Sequence, residues 1–372
     1  MKDTVWKAIK WLLGCGLLAT VIWLNWDDIV DKVRQVREEG FAWHLMLFSG
    51  LIYLIGLMIT FYRWYLLVRV QNLPFRQVDA VRIGFVGFFF NNFLPGAISG
   101  DAIKAYFVFR EHPDDRTVAI ATIIVDRVIG LLGLIFLTGF VGIFYWQEAW
   151  DVETLRWILI FVWCVTAATI LGWTAVALLP LPLPAIRERV RRIPGAGRIL
   201  APLVRCVELY RSHSRAVVVS MILAMIAHVG FVTSFYLCAL SVGKEVPTWQ
   251  AQFLLVPIGM VVQAVPLTPG GNLGVSEFVY KKLFEFKVGP DLAVAGLLAC
   301  VAMRVVSWAV ALIGLICYLP LRATIRKECF HTSPVESEQN EPSAAPVPHG
   351  AANRETPFGS QPADKSHEAV PQ

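Results

Sequence analysis

Six apolar runs, each about as long as a bilayer is thick, set the pattern of this chain. The first, from Trp11 to Trp26, follows Lys2, Lys7 and Lys10. The others cover Gly40–Tyr62, Val118–Trp146, Trp157–Leu179, Ala216–Leu240 and Leu292–Leu319. A helix rises 1.5 Å per residue, so about 20 residues cross roughly 30 Å of hydrocarbon. Each run is therefore predicted to be a spanning helix. The first ends in Asn25-Trp26-Asp27-Asp28 without a small-residue cleavage site, so it reads as a signal anchor.

Two further uncharged stretches make poor spans. Residues 83–100 contain Asn91, Asn92, Pro95, Ser99 and four glycines, among them Gly96 and Gly100. Residues 246–276 contain Pro266, Pro269, Gly270, Gly271 and Gly274. Such breakers interrupt a helix. The stretches are predicted to be helix–break–helix pairs that enter and leave the membrane on one face.

Charge placement decides between eight crossings and six. Residues 180–215 hold eight arginines, Arg187, Arg189, Arg191, Arg192, Arg198, Arg205, Arg211 and Arg215, against Glu188 and Glu208. Eight crossings put this segment outside, against the positive-inside tendency; six put it inside with residues 63–82, 101–116 and 322–327. Lys281, Lys282 and Lys287 then fall outside, which is the weak point of six. The two halves share one order with opposite orientation: span, span, re-entrant pair, span. Pro95-Gly96 and Gly100 match Pro269-Gly270 and Gly274 in spacing, and each motif precedes a span that carries an arginine, Arg127 or Arg304. Inverted repeats with broken helices are a common transporter plan, with sites where the breaks lie. The expected fold is all-α, a polytopic membrane helix bundle of about six full spans plus two broken re-entrant helix pairs.

Composition agrees. Of 372 residues, 56% are hydrophobic and only 16% charged, which argues against a water-soluble enzyme. The net +5 divides unevenly: residues 328–372 hold seven acids and two bases, leaving 31 bases and 21 acids before them. Juxtamembrane bases explain that excess better than nucleic-acid binding. The expected organisation is a membrane domain over 1–327 and a disordered, acidic, Pro-rich cytoplasmic tail over 328–372. The seven cysteines form no C-x-x-C pair, so neither a disulfide framework nor a metal site is expected. No P-loop or hydrolase motif occurs, and no cofactor is expected.

The candidate chemistry lies in four places. Asn91-Asn92-Phe93-Leu94-Pro95-Gly96 leads to Gly100-Asp101 and Lys104. A helix restarting near Gly100 turns its N-terminal amides into the membrane interior, and such an end attracts anions such as a lipid phosphate. Asp101 could instead cap the helix, and Lys104 could pair with Asp101 or meet a phosphate. Pro269-Gly270-Gly271, Gly274 and Glu277 repeat the arrangement, with Arg304 as the natural partner of Glu277. Asp126-Arg127 lies within a span; adjacent residues point about 100° apart, so one could face a central cavity and the other a re-entrant loop. The arginine segment sets topology and could also attract anionic headgroups. The bland reading of each motif is a structural break or an interhelical bridge. His228, alone in an apolar run, reads as a helix–helix hydrogen-bond donor.

The block Asn91, Leu94-Pro95-Gly96, Gly100-Asp101, Lys104, Asp126-Arg127 and Gly130-Leu131 resembles the transmembrane domain of bacterial lysylphosphatidylglycerol synthase/flippase proteins and their stand-alone relatives. Pro266, Pro269-Gly270-Gly271, Gly274-Val275 and Glu277 resemble that family's second signature, and Arg63-Trp64 followed by Leu66-Leu67 is similar too. The likeness extends from about residue 5 to 325, with departures at Ser99, Lys104, Asn272 and Ser276. In that family the membrane domain is implicated in moving aminoacylated phosphatidylglycerol between leaflets, and a separate soluble domain attaches the amino acid. The resemblance implies a non-enzymatic, flippase-like protein of the bacterial inner membrane with both termini cytoplasmic. Its implied partners are a phospholipid with an anionic or aminoacylated headgroup and an enzyme supplying that lipid; it implies no nucleic acid and fixes no oligomeric state. Asn91, Asn92, Pro95, Gly96, Gly100, Asp101, Lys104, Asp126, Arg127, Pro269, Gly270, Gly271, Gly274, Glu277 and Arg304 would line the substrate path. The alternatives are a membrane-embedded lipid- or glycolipid-modifying enzyme with Asp101 or Glu277 as base, and a structural partner of such a pathway.

Overall fold

The computed structural model describes residues 2–71, 74–93, 99–111, 116–179, 182–194, 197–264, 268, 272–289 and 293–331. Residues Met1–Thr324 form one compact unit, and Ile325–Gln372 a second whose described part is a helical end. Among the described residues there are helices and turns but no strand. The first half contains α1 (Lys2–Leu24), α2 (Trp26–Glu39), α3 (Trp43–Arg69), α4 (Gln77–Phe93), α5 (Ser99–Glu111) and α6 (Arg116–Phe144). The second contains α7 (Trp146–Trp150), α8 (Glu153–Leu178), α9 (Leu183–Arg191), α10 (Gly197–Arg211), α11 (Ser214–Val242), α12 (Trp249–Ala264), α13 (Val275–Val288) and α14 (Ala293–His331).

Five helices, α3, α6, α8, α11 and α14, are long and apolar enough to cross a membrane. A sixth span requires α1 together with α2, which bends away from it by 76°. The bend falls at Asn25, whose side-chain amide donates back to the Val21 carbonyl at 2.6 Å. The sequence after Trp26 is polar and acidic, and it turns aside from the apolar run as α2. Charge also fails to mark one end correctly: Arg63, expected to flank the second run, lies inside α3 and is buried.

Direction follows from which side chains share a cluster. Ser49 and Ser234 exchange hydrogen bonds, each hydroxyl donating to the other's carbonyl at 2.8 and 3.0 Å. Two turns further along α3, Gly56 faces Ala227 and Phe231. As α3 advances, α11 recedes, so the two are antiparallel. Small residues let the backbones approach, which is how helices associate in lipid. Ala302 and Val306 of α14 pack beside Met46 and Tyr53, whereas Val310 and Ile313 pack with Leu57 and Phe61. Thus α14 runs parallel to α3.

These directions place the two broken pairs. Leu67 near the end of α3 clusters with Val125 and Ile129 in the first half of α6, so α4 and α5 leave and return on one side. Cys238 and Val242 at the end of α11 cluster with Ala302 near the start of α14, so α12 and α13 return to the opposite level. The exposed tryptophans mark that second level: Trp23, Trp26, Trp43, Trp146, Trp150, Trp157 and Trp249 all lie at helix ends reaching it. Such a girdle suits a membrane–water interface.

The arginine segment is not a loop. It folds into α9 and α10, clipped by Arg187 Nη1 to Glu208 Oε2 at 2.7 Å. The Tyr210 hydroxyl docks α10 on the Leu67 carbonyl at 3.0 Å. Apolar and basic positions at helical spacing make these helices amphipathic, and α10 is seated by Leu209 and Tyr210 against Ile129 of α6 and Ala224 of α11. The largest core cluster joins Leu137, Leu159, Phe235, Phe253, Tyr280 and Phe284 across α6, α8, α11, α12 and α13.

Candidate functional site

The first broken pair builds a charged cluster with α3 and α6. Helix α4 stops after Asn91-Asn92-Phe93, and α5 begins at Ser99. The Asn91 carboxamide bridges the break, accepting the Gly100 amide at 2.9 Å. A side chain at Gly100 would collide with the Gly87 carbonyl, so glycine is what lets the two helices close. Asp101 then stands on the first turn of α5. It receives both Nε and Nη2 of Arg127 at 2.7 and 2.8 Å, a two-pronged geometry.

Asp126, the neighbour of Arg127, reaches another helix. Its Oδ1 accepts Arg63 Nε at 2.8 Å and its carbonyl accepts Arg63 Nη2 at 3.1 Å. The 100° offset of successive helical residues thus lets one dipeptide bridge α6 to both α3 and α5. The Lys104 ammonium lies 5.1 Å above the Trp64 ring, within the field of all four of these charged groups. The cluster holds three cations, Arg63, Lys104 and Arg127, and two carboxylates.

The second broken pair repeats the core of this arrangement. Asn272 adopts φ +60 and ties its surroundings together. Its Oδ1 accepts the Thr268 amide at 3.0 Å, and its Nδ2 donates to the Val262 carbonyl at 3.0 Å. Gly274, at φ +82, abuts the backbone of α1 at Gly14 and Leu18. Glu277 is on the first turn of α13. One of its oxygens accepts the Gly274 amide at 2.7 Å, and the other accepts Arg304 Nε at 2.7 Å. Lys281, one turn on, donates to the Asn25 side chain.

The two pairs correspond. In each, an acid at the third residue of the second short helix binds an arginine of the following span, 26 residues on in the first half and 27 in the second. They differ in access. The Glu277 and Arg304 side chains are 0% and 10% exposed, whereas Asp101 is 15% and Arg127 54% exposed. The halves also touch: Ser307, one turn beyond Arg304, donates to Asn92 Oδ1 at 3.1 Å and receives the Tyr53 hydroxyl at 3.5 Å.

Glu277 binds Arg304, the partner expected for it; the pairing of Asp101 with Arg127 was not anticipated. Of the two roles open to Lys104, pairing with Asp101 is not the one seen: its ammonium lies over Trp64 because Arg127 occupies that carboxylate. Of the Asp126-Arg127 pair, Arg127 faces the re-entrant pair, and Asp126 makes an interhelical bridge to α3, the bland reading of that motif. Pro95, Gly96, Pro269, Gly270 and Gly271 lie outside the described residues. Arg63, Trp64 and the bridging Ser307 were missed as site residues; an arginine at the edge of one apolar run and an acid inside another were the available signal. His228 donates to the Gly130 carbonyl at 2.9 Å, the helix–helix bond expected of it.

Long apolar helices, a girdle of tryptophans and ion pairs at the breaks of two short helices define a multi-pass helical membrane protein. A family model described as the lysylphosphatidylglycerol synthase TM region matches residues 9–314, and the chain belongs to that family. A UPF0104 membrane protein of Pyrococcus horikoshii is 24% identical over 131 residues. That match spans 35% of this chain and only 38% of the relative's own length.

Proposed function

We propose that the protein moves a phospholipid, or a lipid-linked headgroup, between the leaflets of a bacterial inner membrane, with both termini cytoplasmic. The observation that carries this reading is the excess cation of the Arg63–Lys104–Arg127 cluster at membrane depth. A charged side chain inside a bilayer costs several kcal/mol unless paired or hydrated. Two of the three cations have carboxylate partners, so the group as a whole is complementary to one more anion, such as a lipid phosphate. Family membership supports the same substrate class, including aminoacylated headgroups whose amine would meet Asp101 or Glu277. A separate enzyme would supply the lipid.

The headgroup would pass between the two broken pairs while the acyl chains remain in lipid. Asp101 and Glu277 are each held by an arginine, an arrangement that favours a conduit over an enzyme with a free carboxylate base. The reading is tested by reconstituting the full chain in vesicles with a headgroup-labelled phospholipid and quenching from outside. Inter-leaflet exchange above that of empty vesicles, lost in Arg127→Gln, is expected. Exchange equal to that of empty vesicles across anionic, zwitterionic and aminoacylated lipids overturns it.

A further inference from the structure

The two acid–arginine pairs differ most in what lies beside them. Arg127 sits roughly 10 Å along α6 from Ile120. Ile120, Val128 and Leu131 are all more than 40% exposed. Positions i, i+7, i+8 and i+11 of a helix share one face, so Arg127 lies within an apolar stripe turned away from the bundle. Across the pair, Tyr106 of α5 is 49% exposed. Helix α14 also has an exposed apolar face, with Val305 and Leu312 on it, but Arg304 is turned inward from it.

A half-exposed guanidinium on a lipid-facing stripe needs a polar occupant, because hydrocarbon offers it none. Water could reach the helix end near residue 116, but the stripe beside Arg127 is apolar on both sides. An amphiphile satisfies both requirements at once: an anion at Arg127 and Lys104, and acyl chains along Val128 and Leu131.

We infer that the α5–α6 face is a lateral entrance through which a phospholipid of the leaflet at the α9–α10 level presents its phosphate to Arg127, whereas the Glu277–Arg304 pair is the sealed station of the opposite level. This rests on the transport reading, but it concerns where the lipid binds and not whether it crosses. The Asp101 carboxylate is the counter-ion that the phosphate replaces on Arg127. Val128 and Leu131, on the interior side of Arg127, give the chains apolar surface to follow.

The test uses the full chain in vesicles doped with a photoactivatable phosphatidylglycerol whose reactive group is in the acyl chain. Cross-linked lipid is quantified by mass spectrometry at Val128 and Leu131 and, as a bulk-lipid reference, at the exposed Ile222 of α11. Adducts at Val128 and Leu131 should exceed the reference about fivefold, the gain expected of one basic contact with a headgroup. Arg127→Gln should return them to the reference level, and Arg127→Lys should keep part of the gain. Lys104→Met, which leaves the Arg127–Asp101 pair intact, should lower them by a smaller factor and guards against misfolding of the first variant. Uniform adducts, or adducts indifferent to both substitutions, overturn the entrance. Enriched adducts without inter-leaflet exchange keep the entrance and overturn transport; exchange with uniform adducts does the reverse.

Discussion

Replacing Glu277 by Gln removes one charge from the most buried ion pair of the described residues and leaves the side-chain shape unchanged. Both partners are almost sealed, at 0% and 10% exposure. Arg304 donates to Oε1 through Nε and Nη2 at 2.7 and 2.6 Å, so the guanidinium loses its counter-charge in place. Breaking a buried pair by removing one partner costs about 3–5 kcal/mol. Gln can still accept the Gly274 amide, so the low end, about 3 kcal/mol, is expected. Glu277→Ala also loses that capping acceptor, adding about 1 kcal/mol. The double variant Glu277→Gln with Arg304→Met should recover most of the loss, because no unpaired charge remains. Equilibrium unfolding in detergent micelles, followed by helical signal, measures all three. A loss below about 1 kcal/mol for Glu277→Gln, the worth of a surface pair, would refute the claim that this pair is sealed. So would a double variant no more stable than the single.

The corresponding change on the open side should behave differently. Asp101→Asn leaves the half-exposed Arg127 without its carboxylate on a lipid-facing stripe, which costs several kcal/mol unless a lipid phosphate takes its place. The loss should be smaller in micelles doped with anionic lipid than in non-ionic detergent alone, whereas the sealed Glu277 pair should be indifferent to the lipid; equal lipid dependence of the two would contradict the asymmetry. Gly56→Val should weaken the α3–α11 contact by about 1–3 kcal/mol through overpacking, because a Cβ there stands 2.9 Å from the Phe231 ring and 3.3 Å from the Ala227 carbonyl; unfolding midpoints report it. Gly274→Ala should destabilise by at least about 1 kcal/mol from its positive φ alone, with more from the fixed backbone of Leu18 at 2.7 Å; unchanged stability would show that α1 yields. Tyr210→Phe should cost about 1 kcal/mol by orphaning the Leu67 carbonyl, read in the same unfolding assay.

Hydropathy and charge were enough to place the long helices, because crossing hydrocarbon demands an unbroken apolar run and water on one face retains arginine. The same local rules pointed to two interrupted stretches, where the short helices α4–α5 and α12–α13 lie, and the repeat spacing of Pro and Gly pointed to inverted halves. Glu277 and Arg304 could be matched for the same reason, as each would otherwise be an unpaired charge in an apolar run. Other features depended on contacts between distant segments. Asn25 could not announce a 76° bend, since the helix ends there by the loss of apolar sequence beyond it and not by a breaker. Arg63 read as a flanking base until Asp126, 63 residues away, was found beside it. Lys104 moved from Asp101 to Trp64 because Arg127 had already filled the carboxylate. Exposure was likewise invisible in one dimension: Arg127 and Arg304 have equivalent sequence settings, and only the packing around each leaves one open and seals the other.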